Sequence, residues 1–180
     1  MVKTWERLLK SLDRQKRLNW SQAMGEWRLF ACNKEGAEVG KTKKGKGMKL
    51  MLMTDGNGVP ISGFTISAQV AEGNTIETMV DIQVAGQRPE RLLYDMAVLY
   101  DMAADADGVR DPPKLRGIEQ ITPHRKGRKK PSRQDGRSLR RYASRWKVER
   151  TISWPGYQRR LLVRQEYYPH LFEGFSTSPA

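Results

Sequence analysis

Carboxylates at the ends of apolar stretches are the residues of this chain whose type and placement could do chemistry. Asp95 closes RLLYD and Asp101 closes VLYD. Both lie in a phrase said twice: LLYDMA at 92–97 runs straight into VLYDMA at 98–103, with five of six letters identical. Glu149 is one of two acids in the most basic segment. Carboxylate oxygens are the hard ligands that Mg²⁺ takes. Two such ions about 3.5–4 Å apart activate an attacking oxygen and stabilise a leaving one, the chemistry of nucleases and phosphoryl transfer. Ligands for that purpose should project from strand ends and one helix face beside a nucleic-acid path. Each acid also has a plainer reading. Glu149 stands four residues after Arg145, the spacing of an intrahelical ion pair. Asp55 follows an apolar run but opens DGNG, where Asp suits a turn.

The charge balance names the partner class. The chain has 33 Lys+Arg against 20 Asp+Glu, a net +13 over 180 residues. Residues 124–150 hold twelve Lys/Arg and two acids, so +10 of that surplus sits in 27 residues. A concentration of this kind is the footprint of a phosphate backbone, because each neutralised phosphate releases counterions. Candidate nucleic-acid-binding residues, DNA-binding in the resemblance described below, are Lys43, Lys44 and Lys46 in GKTKKGKG, Arg125, Lys126, Arg128, Lys129 and Lys130 in the basic run, and Arg137, Arg140 and Arg141 after it. One cysteine, Cys32, excludes a disulfide framework and a cysteine zinc site. His124 and His170 are too few and too distant to suggest a metal cluster. No apolar run approaches the ~20 residues of a membrane span, and the opening MVKTWERLLKSLDRQKR has no apolar centre. A cytoplasmic protein with no membrane contact is the expectation.

The elements that must position these residues can be read from periodicity. Residues 3–17 read as a short basic helix, with Trp5, Leu8, Leu9 and Leu12 at spacings of three and four. WRLFAC (27–32) is a strand candidate, and GKTKKGKG (40–47) is expected to be a basic loop. MKLMLMT (48–54), DGNG (55–58) and VPISGFTISA (59–68) read as strand, hairpin turn and partner strand. Residues 74–84 read as a helix capped by Asn74, with Ile76, Met79, Val80 and Val84 on one face. RLLYD (91–95) and IEQIT (118–122) are short strands; Gly108 and Pro112-Pro113 interrupt the helix between them. A basic loop (123–137) leads to a helix from about Ser138 to Trp154, which Pro155-Gly156 should break. RRLLVRQEYY (159–168) is expected to form a further helix. Hairpins first and βα units after imply an α/β fold, a mixed sheet with flanking helices.

The stretches GAEVGKTKKGKGMKLMLMTDGNGVPISG, IEQITPHRKGRKKP, QDGRSLRRYASRWKVERTISW and RRLLVRQEYYPHLFEGF, in that order, resemble the DDE transposases of bacterial insertion sequences. The resemblance is to the short cut-and-paste type with a VER segment and spans roughly residues 18–175. It implies an RNase H-like core in which Asp, Asp and Glu bind two Mg²⁺, with Mn²⁺ as a substitute. It also implies cleavage of double-stranded DNA at terminal inverted repeats, joining of 3′ ends to target DNA, and self-association on DNA. The implied division is a short N-terminal basic helix (1–19, the remnant of a longer region), a catalytic domain (20–175) and a disordered tail (176–180).

Carried over residue by residue, Glu149 stands where the family's glutamate stands. Tyr142, Arg145 and Glu149 match its Tyr, two residues, Arg, three residues, Glu signature. That spacing sets the three near one helix face, with Arg145 available to phosphate. The signature's final basic residue falls at Gly156 and is missing. The second acid is Asp95 or Asp101, since the family has the LYD phrase once. Asp95 keeps the spacing to GQRPERLL on its N-terminal side, and Asp101 keeps the spacing to AADADGVRD on its C-terminal side. Asp95 is preferred, because inserted residues are easier to hold in the loop after the strand. The first acid falls at Glu26, where the family has Asp; the extra methylene shifts the carboxylate. Glu26 as an exposed helix-end residue is the plainer reading. The alternative function is a non-catalytic DNA-binding remnant of a transposase, and a basic RNA-associated structural protein is the third.

Overall fold

A computed structural model describes residues 2–36, 38–43, 45–70, 75–83, 86–94, 116–121, 136–158 and 163–168. In chain order the elements are α1 (Val2–Arg14), β1 (Ala23–Cys32), β2 (Gly40–Thr42), β3 (Gly45–Asp55), β4 (Pro60–Ser67), α2 (Ile76–Asp81), β5 (Arg91–Leu93) and β6 (Glu119–Ile121). A helical run comes next, made of α3 (Gly136–Tyr142), a 3₁₀ turn (Ala143–Arg145), α4 (Trp146–Ser153) and a second 3₁₀ turn (Trp154–Tyr157). The last element is β7 (Val163–Arg164).

The sheet is mixed. β3 lies antiparallel between β1 and β4, while β5 joins the other edge of β1 in parallel and β6 joins β5 in parallel. Three antiparallel strands followed by two parallel ones, in the order β4-β3-β1-β5-β6, is the RNase H-like arrangement. The first three strands are one meander. Its sharp corner is DGNG, where Asp55 N donates to the Val59 carbonyl at 2.9 Å and Gly58 takes φ +93°. That backbone suits glycine.

Alternation along the strands builds two apolar layers. Ala23, Met51, Met53, Leu92 and Tyr94 pack with Leu9 of α1 and with Ile76, Met79 and Val80 of α2. On the other face Met24, Leu93 and Ile121 meet Val148 of α4. Phe30, Cys32, Met48 and Leu50 meet Ile152 there. Even-numbered residues of β1 therefore point toward α4, Glu26 and Arg28 among them. Burial raises the Cys32 thiol above its ordinary pKa, opposed by the nearby Arg164 charge and a backbone hydrogen bond at Met48. Among the described residues no helix is long and apolar enough to cross a membrane.

Several expectations change. Residues 40–47 are not a loop: Lys41 pairs with Lys46 in a tight hairpin whose corner, Gly45, takes φ +115°. Glycine and lysine content hid strand pairing that extends the β3 edge. The α2 helix is shorter than expected; Thr75 precedes its first residue without a side-chain capping bond, and Asn74 lies outside the described residues. Residues 163–164 are strand, not helix. They pair in parallel with Ala31 and Cys32, the part of β1 that β5 does not reach. The buried Arg164 donates to the carbonyls of Glu166 and Tyr167, at 2.8 and 2.6 Å, which holds the segment after the strand in place. Helical periodicity in RRLLVRQEYY was outweighed by an unpaired strand edge. Val84 lies outside the described residues, as do Asp95 and Asp101, Gly108, Pro112-Pro113, and residues 122–135 and 169–180.

Asp55 is a fold residue. It is fully buried, and its carboxylate accepts backbone N–H groups of Asn19 (2.7 Å), Asn57 (3.0 Å) and Val59 (2.8 Å). Asp55→Ala should cost about 3 kcal/mol or more, since three donors lose a charged acceptor. Urea unfolding reads this directly, and a midpoint unchanged from the parent protein would contradict the role.

Candidate active site

Glu26 is not at a helix end. It sits inside β1, opposite Leu52, with its side chain only 14% exposed on the face toward α4. A carboxylate at that depth needs an opposite charge. Arg145 supplies it: Nη2 ion-pairs with Glu26 Oε2, and Nη1 reaches Glu149 Oε1 at 3.2 Å. The same Nη1 lies 3.1 Å from the Tyr142 hydroxyl, and the guanidinium carbon is 5.5 Å from that ring's centroid. The Tyr142, Arg145, Glu149 spacing thus gathers on one side of the helical run, as expected. Arg145 itself is turned inward and 8% exposed, not turned out to phosphate. Glu149 is both an i,i+4 partner of Arg145 and part of the cluster. Its side chain is 55% exposed, so the site opens to solvent at that end.

Local contacts fix the height of the helical run over the sheet. The Gln22 amide donates to Ser144 Oγ at 3.0 Å, tying the 3₁₀ turn to the start of β1. Lys147 Nζ donates to the Gly56 carbonyl at 2.7 Å, and Thr151 Oγ1 to the Gly58 carbonyl at 2.9 Å. The DGNG corner is therefore a dock for α4 as well as a hairpin. A Cβ on Gly58 would come within 3.4 Å of Lys147 Cβ, so the corner approaches α4 closely.

Two carboxylates from different elements converge on one cation, and their oxygens are the hard donors a divalent metal takes. The donor set fits such an ion in kind. Among the described residues no third His, Cys, Asp or Glu completes a cluster. Asp95 and Asp101, the residues expected to do so, lie outside them, as do Lys44, Arg125, Lys126, Arg128, Lys129 and Lys130. Arg137 is the second residue of α3, after Gly136, while Arg140 and Arg141 are exposed on it. Lys43 is exposed, and Lys46 is ion-paired with Glu35, whose carboxyl it holds below the usual range.

Arg28 was missed in the sequence. It lies two residues beyond Glu26 on the same strand face and donates toward the Ser153 carbonyl at 3.4 Å. A Cβ on Gly156 would fall 2.5 Å from Arg28 Nη2, so a guanidinium occupies the space where the signature's basic side chain is missing. Period-two counting from Glu26 was the signal that could have found it. Also missed were Trp146 and Trp154, 53% and 60% exposed, with the Arg150 guanidinium 5.0 Å from the Trp146 ring centroid. Thr151→Val should cost about 1 kcal/mol by removing the bond to Gly58. Denaturant titration should show the loss, and a neutral result would mean that the corner does not hold α4.

A model of the transposase DDE domain matches residues 27–173. The chain is 30% identical over 122 residues to the transposase assigned to insertion sequence element IS402 of Burkholderia cepacia, an alignment covering 67% of this chain and 54% of that protein. It thus spans about half the length of that curated relative. Among solved structures, the Mos1 strand transfer complex has TM-score 0.44 at 16% identity, covering 98% of this chain and 53% of that one. The catalytic domain of the Mos1 mariner transposase has TM-score 0.40 at 14% identity, with 89% of each chain covered. The family match takes in β3 through β7 and the whole helical run that carries Glu149, and by it this chain belongs to the transposase DDE domain family.

Proposed function

We propose that this chain is the catalytic domain of an insertion-sequence transposase that cleaves double-stranded DNA at terminal inverted repeats and joins the 3′ ends to target DNA. The observation that carries the reading is the convergence of Glu26 and Glu149, from β1 and α4, on one face of an RNase H-like sheet. Mg²⁺, with Mn²⁺ as substitute, is the cofactor proposed for these carboxylates. Bound there, it supplies Lewis acidity and a lowered pKa for the attacking oxygen. Glu26 and Glu149 bind it, and Asp95 is proposed as the third ligand. Strand register supports that choice: β5 pairs Ala23 with Leu92 and Met24 with Leu93, and the same register continued by two residues would set position 95 opposite Glu26. Asp101, six residues later, would fall roughly 20 Å further along an extended strand.

The DNA partner is proposed from charge. The basic segment 124–150 follows β6 in sequence and includes the helical run that carries Glu149. Arg140, Arg141 and Arg150 are exposed on that helical run. Arg28 is proposed to stand in for the basic residue absent at position 156. Self-association on DNA and a place in the bacterial cytoplasm at the nucleoid go with the activity. The division into residues 1–19, 20–175 and 176–180 is part of the same proposal. One feature favours a second reading, the non-catalytic remnant: Glu26 is a carbon longer than the Asp of the family pattern.

Nicking of duplex DNA carrying the flanking repeats tests the activity. Metal-dependent nicking should fall about 10–100-fold or more in Glu149→Gln, with DNA binding kept. Glu26→Asp should raise nicking, most clearly when residues 98–103 are also deleted to leave one LLYDMA. Absent nicking in that double variant, with normal binding, establishes the remnant reading. In a separate measurement, neutralising Arg125, Lys126, Arg128, Lys129 and Lys130 together should weaken binding. The log–log salt slope should flatten by about 0.9 per lost phosphate contact. Unchanged affinity and slope would remove this run from the interface.

A further inference from the structure

We propose that Arg145 is the counter-cation of the two site carboxylates: it holds Glu26 and Glu149 together and must be displaced from them for a divalent metal to be held there. The inference rests on the metal-site reading above. Its ground is the shared guanidinium, one nitrogen on each carboxylate. Glu26 is nearly enclosed and accepts the Trp27 backbone N–H at 3.0 Å, and Arg145 brings the opposite charge to it. The same guanidinium aims both carboxylates at one point. The arrangement has a consequence for metal. The guanidinium hydrogens occupy lone pairs that a dication needs, and two positive groups on the same pair of carboxylates repel each other. The exchange has a route, because Glu149 is half exposed while Glu26 lies behind it. Glu149 is thus the carboxylate within reach of solvent, and Arg145 would have to turn away from Glu26 for both acids to hold one ion. Arg145 is thus a positioning residue that sets how tightly, and at what metal concentration, the acids are loaded.

The two roles predict effects of opposite sign, which a merely structural arginine does not. Arg145→Met keeps an unbranched, flexible stem and removes the charge. Without metal the variant should melt lower than the parent by roughly 5–10 °C, since one buried carboxylate loses its partner. With metal it should bind Mn²⁺ about tenfold more tightly, the scale of one charge-assisted hydrogen bond no longer broken. Free Mn²⁺ measured by electron paramagnetic resonance reads the affinity, and circular dichroism reads the melt, neither needing DNA or turnover. Arg145→Lys, whose single ammonium cannot fork between two carboxylates, should lie between the two. It also gives the comparison in a folded protein should Arg145→Met unfold. Equal or weaker Mn²⁺ binding by folded Arg145 variants, with binding still lost in Glu149→Gln, overturns the displacement while leaving the metal site standing. If the parent, Arg145→Met and Glu149→Gln all fail to bind Mn²⁺, the metal-site reading falls and the displacement with it.

Discussion

A carboxylate on the inner face of a central strand is the constraint around which this molecule is arranged. Glu26 occupies a position that alternation gives to the α4 layer, between the apolar neighbours Met24 and Phe30. Burying that charge alone would cost several kcal/mol. Arg145 meets it, and Arg145 sits in a 3₁₀ turn whose neighbours are pinned to Gln22 on one side and to the DGNG corner on the other. The charge pair therefore requires the helical run to lie across β1 and β3 at a set height. Val148 and Ile152 fill the apolar space that this height leaves.

The corner at 55–58 shows how one short sequence serves two ends. Asp55 spends its carboxylate on three backbone donors, so it is not free to act as a ligand. In return the corner is rigid, and its outward carbonyls receive Lys147 and Thr151. A meander turn thereby positions a helix that is more than ninety residues away in sequence. Glu149 owes its place over the sheet to this dock as much as to its own helix.

The charge distribution separates two tasks. Arg140, Arg141 and Arg150 of the 136–150 stretch face solvent, where counterion release favours a polyanion. Arg145, of the same residue type and the same stretch, faces inward and balances acids. Counting +10 over residues 124–150 treats these cations alike, although one of them is withdrawn from the outer surface by the enclosed carboxylate beneath it.

Much was legible in the sequence, because local patterns carry it. The apolar run of β3, the DGNG corner and the short apolar stretches of β5 and β6 come from alternation and turn chemistry. The 142, 145, 149 spacing placed three side chains on one side of a helical run without any tertiary information. Docking of α1 through Leu9 agrees with its amphipathic spacing. Tertiary structure decided the rest. Residues 163–164 became a strand because β1 had an unpaired edge beyond β5, a fact about another segment. Glu26 became an enclosed partner of Arg145, and Arg28 came to fill the space over Gly156, because strands and a helix far apart in the chain were stacked face to face. Sequence determines which residues share a face of their own element; only packing decides which charges are then shut in together and must neutralise one another.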